Sequence, residues 1–275
     1  KDETSGKVII GVEDGANNSY CDLLFYVNAS KTIEEPNDRP VITPDDGNEP
    51  EKPDVTETKT GTLAFEDIWP GGGDYDMNDV IVEYNRAVSF DKKNQVTKIV
   101  DTFTPVHDGA VFANAFAYQV DKGQFGKMTF SATTEGIHTE SATSSIIVCP
   151  NVKQAIQKVY TITREFTGGS FNKKDLKSYN PYIIVKYAEG QKGRTEVHLP
   201  KHEATSLADL SLAGTQKDAY YIDKEGAYPF AIDIPILNFI SVTEKKSIDT
   251  EYPNFKAWAD SKGEKYTDWY NNHVN

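Results

Sequence analysis

Two apolar runs, Val8-Ile9-Ile10-Gly11-Val12 and Leu23-Leu24-Phe25-Tyr26-Val27, bracket a polar stretch from Glu13 to Asp22. This pattern predicts strand, acidic turn, strand. A lone hairpin is marginal in water, so residues 1–30 are expected to be the tail of an upstream domain or an appendage docked on the rest of the chain. From 31 to 60 large hydrophobes almost vanish, and Pro36, Pro40, Pro44, Pro50 and Pro53 stand among acidic residues. Such a stretch reads as an extended, solvated linker. Apolar alternation returns at Gly61–Glu66 and Val80–Tyr84, on either side of a second acidic turn, IWPGGGDYDMND. Further strands are expected over 95–105, 110–119, 127–133, 144–148, 159–166, 182–187 and 195–199, separated by turn signals such as Asp108-Gly109, Gly168-Gly169 and Asn180-Pro181. Near the end the period lengthens: Ile248, Tyr252, Phe255, Trp258 and Ala259 recur at helical spacing, with Gly263 placed to cap a helix. The expected fold is therefore mainly β, a jelly-roll-like β-sandwich over 61–275 with a C-terminal helix.

Composition supports that class. Tyr (15) and Phe (13) far outnumber Met (2), a bias that favours pleated, half-buried strands. With 38% hydrophobic and 26% charged residues the chain can bury a core without staples. A formal net charge of −13 repels phosphate backbones and anionic lipid surfaces, which argues against nucleic acid as a partner. No apolar run approaches the roughly 18 residues of a membrane-spanning helix, so no transmembrane segment is expected. Lys1 opens the chain without a charged-then-apolar leader, so an export signal, if any, is expected to have been removed. Cys21 and Cys149 stand in no zinc-ligand spacing. They read either as two small buried hydrophobes or as one disulfide.

The sharpest chemical signal is Asp74-Tyr75-Asp76-Met77-Asn78-Asp79, preceded by Phe65-Glu66-Asp67 and by Gly71-Gly72-Gly73. Alternating acidic and amide residues in a glycine-led turn can converge hard oxygens on Ca²⁺, which takes six to eight such ligands. The expected metal ligands are Asp67, Asp74, Asp76, Asn78 and Asp79, with Glu66 at the rim. The turn is not an EF-hand, because Asp79 and Asn85 stand where that loop needs Gly and Glu. A purely structural turn, in which Asp and Asn side chains accept from nearby backbone N–H groups, accounts for the same residues. Glu13-Asp14 and Asp22 form an eroded first copy of the motif, lower in charge. A second candidate is Arg194, Glu196 and His198, which strand alternation puts on one face as a ligand-binding row or as the paired charges of an outer sheet face. No nucleophile elbow, phosphate loop, dinucleotide fingerprint or HExxH is present, so the chain is expected not to be an enzyme.

The run Gly61-Thr62-Leu63-Ala64-Phe65-Glu66-Asp67-Ile68-Trp69-Pro70, followed by GDYDMNDVIVEY, resembles the opening of the LruC domain of bacterial surface lipoproteins. Further matches follow in order: Gly193-Arg194 with Val197-His198-Leu199-Pro200, Pro229-Phe230-Ala231-Ile232 with Ile234-Pro235, and Tyr252 through Trp258-Ala259-Asp260-Ser261 to Trp269-Tyr270. The resemblance spans residues 61–275, and residues 7–27 resemble the end of an acidic-turn domain that often precedes it. It implies an exported protein of Bacteroidetes type, at the outer-membrane surface or in the periplasm, tethered by a lipid upstream of this chain. The acidic turns, the linker and the β-rich composition point to a calcium-stabilised adhesion or interaction module whose partner is a surface glycan or protein. A carbohydrate-binding module, with Trp69, Trp258 and Trp269 on a shared concave face, is the competing expectation, and a glycosidase with two placed carboxylates a third.

Overall fold

The computed structural model describes residues 8–12, 23–27, 55–166, 171–176, 179–187 and 193–274. The chain divides into two compact units, Lys1–Pro50 and Glu51–Asn275. In the first, strands β1 (Val8–Val12) and β2 (Leu23–Val27) pair antiparallel, Val8 opposite Val27 and Val12 opposite Leu23. Glu13, Cys21 and Asp22 lie outside the described residues, as does the Pro-rich stretch up to Asp54.

The second unit holds two antiparallel sheets. One has the order β13-β3-β4-β5-β10-β7, built from β3 (Val55–Phe65), β4 (Val80–Phe90), β5 (Val96–His107), β7 (Met128–Ala132), β10 (Tyr160–Phe166) and β13 (Ala231–Ile234). The other has the order β12-β11-β6-β9-β8, from β6 (Ala115–Gln119), β8 (His138–Glu140), β9 (Ser145–Cys149), β11 (Asn180–Ile184) and β12 (Glu196–His198). From β5 onward the chain crosses repeatedly between the sheets, and its last strand returns to pair with β3. The mainly-β sandwich is thus as expected.

Period-2 alternation explains how the layers assemble. Leu63, Phe65, Val80, Val82 and Phe103 of the first sheet meet Phe116, Tyr118, Ile146, Val148 and Ile183 of the second in one core. Phe103 packs edge-on to Phe116 at 5.1 Å between ring centroids, which ties the sheets together. The intervening residues Ala64 and Ile81 face the opposite side, where the C-terminal segment covers them with Ile248, Tyr252, Phe255 and Trp269. Every strand of the β3–β4 pair near the turn is therefore buried on both faces.

One charged group sits inside this apolar packing. Asp101 on β5 accepts from Arg86 Nε at 2.6 Å, from Arg164 Nη2 at 2.9 Å and from the Tyr118 hydroxyl at 3.1 Å, and all four residues are buried. Burial opposes its ionisation, but the two guanidiniums outweigh that and hold the carboxyl below its usual range.

Several bounds differ from the sequence expectation. Strand β3 begins at Val55, inside the stretch read as linker, because its exposed Thr56 and Thr58 and half-buried Thr60 pair with the long β4 down to Val55 opposite Phe90. The C-terminal helix is short. Ile248–Thr250 forms a 3₁₀ turn, and α2, which follows the single-turn α1 (Lys122–Phe125), covers only Phe255–Asp260, after Pro253, which has no N–H to donate to a continuous helix. The apolar spacing is nevertheless realised in packing; Ser261, not Gly263, is the C-cap of α2, and Gly263, two residues on at φ 84°, donates its N–H back to Trp258 O at 2.9 Å. Cys149 is a buried free thiol that accepts from the Tyr160 hydroxyl at 3.7 Å.

Candidate functional site

The acidic turn joins β3 to β4, and alternation along β3 decides where its carboxylates go. Glu66 continues the face of Ala64, and its N–H donates to Phe230 O at 2.9 Å, which prolongs the sheet pairing by one residue. Its side chain is fully buried. Oε1 accepts from Met77 N at 2.6 Å, whereas Oε2 is buried with no hydrogen-bond partner. Glu66, Asp74 and Asp76 bring carboxylate oxygens within 4.8 Å of one another. Gly73 is required here by close approach, since a Cβ at that position would collide with Glu66 Oε2.

The turn achieves this convergence with unusual backbone. Tyr75 and Met77 adopt left-handed conformations, φ 57° and 55°, so that Asp76, between them, and Asp74 turn to one side. Strain of this kind persists only where surrounding contacts enforce it. The C-terminal segment supplies them: Lys245 N donates to Asp76 Oδ2 at 2.9 Å, Ile248 N to Tyr75 O at 2.8 Å, and Asn78 Nδ2 to Val242 O at 3.1 Å. Tyr75 also stacks on Tyr228 at 5.1 Å and donates its hydroxyl to Asp223.

Asp67, one residue on from Glu66, falls on the opposite face. Its Oδ2 accepts from Asn114 Nδ2 at 2.7 Å, and its N–H donates to Asp79 Oδ2 at 2.8 Å. Burial, then neighbouring charge, raises several of these acids. Glu66 lies well above the carboxylate range, through burial and then Asp79. Asp79 is pushed up to about 8 by burial and Asp67, and burial also raises Asp67 and Asp76. An acidic cluster that resists ionisation is one that a divalent cation would stabilise.

Of the expected ligands, the fold brings together Asp74 and Asp76. Asp67 and Asp79 instead pair with each other beside Asn114. Asn78 spends its amide N–H on Val242, while its Oδ1 is buried without a partner. Glu66, expected at the rim, is at the centre. The extension of strand alternation through Phe65 was the signal that could have placed it.

Arg194, Glu196 and His198 do not form an outer face. Glu196 and His198 are fully buried, because the Ala204–Leu207 loop folds over that side of β12. Glu196 pairs with Arg194 Nε at 2.6 Å and His198 Nε2 at 2.9 Å, and accepts from the Thr205 hydroxyl at 2.7 Å and N–H at 2.8 Å. His198 Nδ1 faces Asn180 Oδ1 at 2.8 Å, and its ring stacks on Tyr182 at 4.4 Å. This closed network has no room for a ligand, and its role is to pin β12 and its covering loop. Glu196→Ala is expected to cost about 2 kcal/mol or more, since it leaves His198 Nε2 and the Thr205 hydroxyl and N–H buried without their acceptor, while Arg194 keeps Glu140 at 2.7 Å; chemical denaturation measures this, and a loss below about 1 kcal/mol would contradict it.

The aromatic platform is not formed either. Trp69 and Trp269 are buried, Trp69 donating Nε1–H to Asp218 at 2.7 Å, and Trp258 alone of the three tryptophans is half-buried at a cleft. No helix among the described residues is long and apolar enough to cross a membrane.

No curated protein matches this chain. Among solved structures, the crystal structure of a "putative lipoprotein" from Bacteroides ovatus is similar, with a TM-score of 0.60 and 17% identity, covering 85% of this chain and 79% of that one. At that identity the likeness is one of fold. Residues 94–270 match the family described as a domain of unknown function, DUF4842, so the match begins after the acidic turn and takes in β5 to the C-terminal aromatic segment. With well over half of its 275 residues in that match, this chain belongs to the DUF4842 family.

Proposed function

We propose that the chain is an exported, cell-surface-associated, non-enzymatic interaction module whose β3–β4 turn holds Ca²⁺. The observation that carries the calcium reading is Glu66, whose Oε2 is buried without a partner and whose carboxylate is grouped with those of Asp74 and Asp76. The ion would be held by Glu66, Asp74 and Asp76, with backbone carbonyls and water completing its shell. By binding them it would lock the turn against the segment Val242–Ile248. The surface location is supported by the fold shared with the Bacteroides protein and by the resemblance to LruC-type domains, which implies a lipid tether upstream. The non-enzymatic reading is supported by the burial of the Arg194-Glu196-His198 row, the strongest catalytic-looking cluster in the sequence.

Calorimetric titration of the full chain with CaCl₂ tests the metal. Uptake is expected, and at a hundredfold excess over the dissociation constant the ion adds about 2.7 kcal/mol, a rise in melting temperature of roughly 5–10 °C. Mg²⁺ is expected to do less, because it demands a tighter octahedral shell. Glu66→Gln is expected to abolish uptake. Failure to bind at millimolar Ca²⁺, together with an unchanged melt in Asp76→Ala, would reduce the turn to a structural element.

A further inference from the structure

Away from the acidic turn, a cleft of about 520 Å³ opens beside β13. This is within the range of small-molecule sites. Leu199 and Pro200, just after β12, line it together with Ile222, Pro229 and Trp258 of α2. Its lining is apolar apart from a charged margin. Gly263, another lining residue, lies beside the Trp258 indole.

The charges at the margin are unequal in what they have left to offer. Asp233 already accepts from Lys59 Nζ and from the Tyr84 hydroxyl, each at 2.8 Å. Asp260 is ion-paired with Lys256. Lys201 and Lys262 also line the cleft, and neither ammonium has a hydrogen-bond or ion-pair partner among the described residues. In a chain of net charge −13, Lys201 and Lys262 are thus the lining charges not already balanced by a neighbouring side chain, and His202 lines the cleft beside them. Lys201, Ala227 and Lys262 all hold left-handed backbone, φ 69°, 60° and 58°, a conformation that non-glycine residues avoid unless surrounding contacts enforce it.

We propose that this cleft binds an amphipathic carboxylate: an aliphatic body of medium-chain fatty-acid size seated against Trp258, Leu199 and Ile222, with its carboxylate between Lys201 and Lys262. The aliphatic body removes the apolar walls from water, and the head group supplies the anion the two lysines lack. This inference is independent of the calcium reading.

Titration of the full chain with decanoate below its micelle concentration, followed by calorimetry and tryptophan fluorescence, provides the test. Saturable binding of a single decanoate is expected. The double variant Lys201→Glu/Lys262→Glu is expected to weaken it by about tenfold or more. Ile222→Trp, which fills the cleft, is expected to abolish it, with circular dichroism confirming the fold of both variants. Absence of decanoate binding, equal affinity for decyltrimethylammonium, or binding that survives both variants would overturn the proposal. Co-sedimentation with phosphatidylglycerol vesicles without uptake of free decanoate would also overturn it, in favour of a membrane-facing surface.

Discussion

Asp101→Ala is expected to destabilise the protein by about 3–5 kcal/mol, because it strands two buried guanidiniums, Arg86 and Arg164, with no anion between them. Arg86 also lies over the Tyr179 ring at 3.6 Å, a contact that does not replace the lost charge. Urea unfolding of wild type and variant gives the difference directly, and a loss below about 1 kcal/mol would show that the triad contributes little. Asp101→Asn, which keeps the shape and loses the charge, is expected to fall between. The same carboxyl sets an acid limit. Its folded pKa is lowered, so its contribution is present above the unfolded value and is lost as pH falls through the folded one.

The acidic turn has the opposite sign. In chelator, stability is expected to fall as pH rises from roughly 5 to 8, with a drop in melting temperature of about 5 °C or more. The reason is linkage. Unfolded Asp79 has released its proton at the start of that range, whereas the folded residue, raised to about 8 by burial and by Asp67, retains it, and Glu66 behaves likewise. Across that window the folded state binds more protons, so raising the pH favours unfolding. The Asp101 window lies below the ordinary carboxylate range, and the two effects therefore separate along the pH axis. Added Ca²⁺ is expected to flatten the slope, since the ion replaces the protons in balancing the carboxylates. Melting curves between pH 5 and 8 with chelator and with Ca²⁺ measure both effects. A flat chelated profile, or a slope unchanged in Glu66→Gln and Asp79→Asn, would remove the raised carboxyls as its cause.

Much of the architecture was legible in the chain. Apolar alternation in β4, β5 and β10, and a continuous apolar run in β9, located these strands within a few residues of their observed starts, because each buries side chains in the core between the sheets. Polar strand segments were not legible. Val55–Thr60 carries no apolar alternation and is a strand only because β4 offers it a full set of backbone partners. His138–Glu140 likewise depends on pairing with β9, whereas the apolar Ala231–Ile234 is too short for its own period to mark it and is fixed by pairing with β3 across more than 160 residues of sequence. Pairing energy with a distant strand leaves no periodic mark on the shorter partner.

Within the site, the residue types alone determined that Asp74, Asp76 and their neighbours form a glycine-led acidic turn between two strands. Composition determined a β-rich, anionic chain with a core large enough to fold. Which carboxylates meet was decided by tertiary structure. The pleat of β3 sends Glu66 and Asp67 to opposite faces, and the Val242–Ile248 segment, far away in sequence, holds the left-handed turn that brings Asp74 and Asp76 to Glu66. The same holds for Glu196 and His198, whose alternation was read correctly from β12 but whose burial depends on a loop that only the folded chain lays over them. Local sequence specifies which face a side chain takes, whereas what covers that face is set by contacts between segments far apart in the chain.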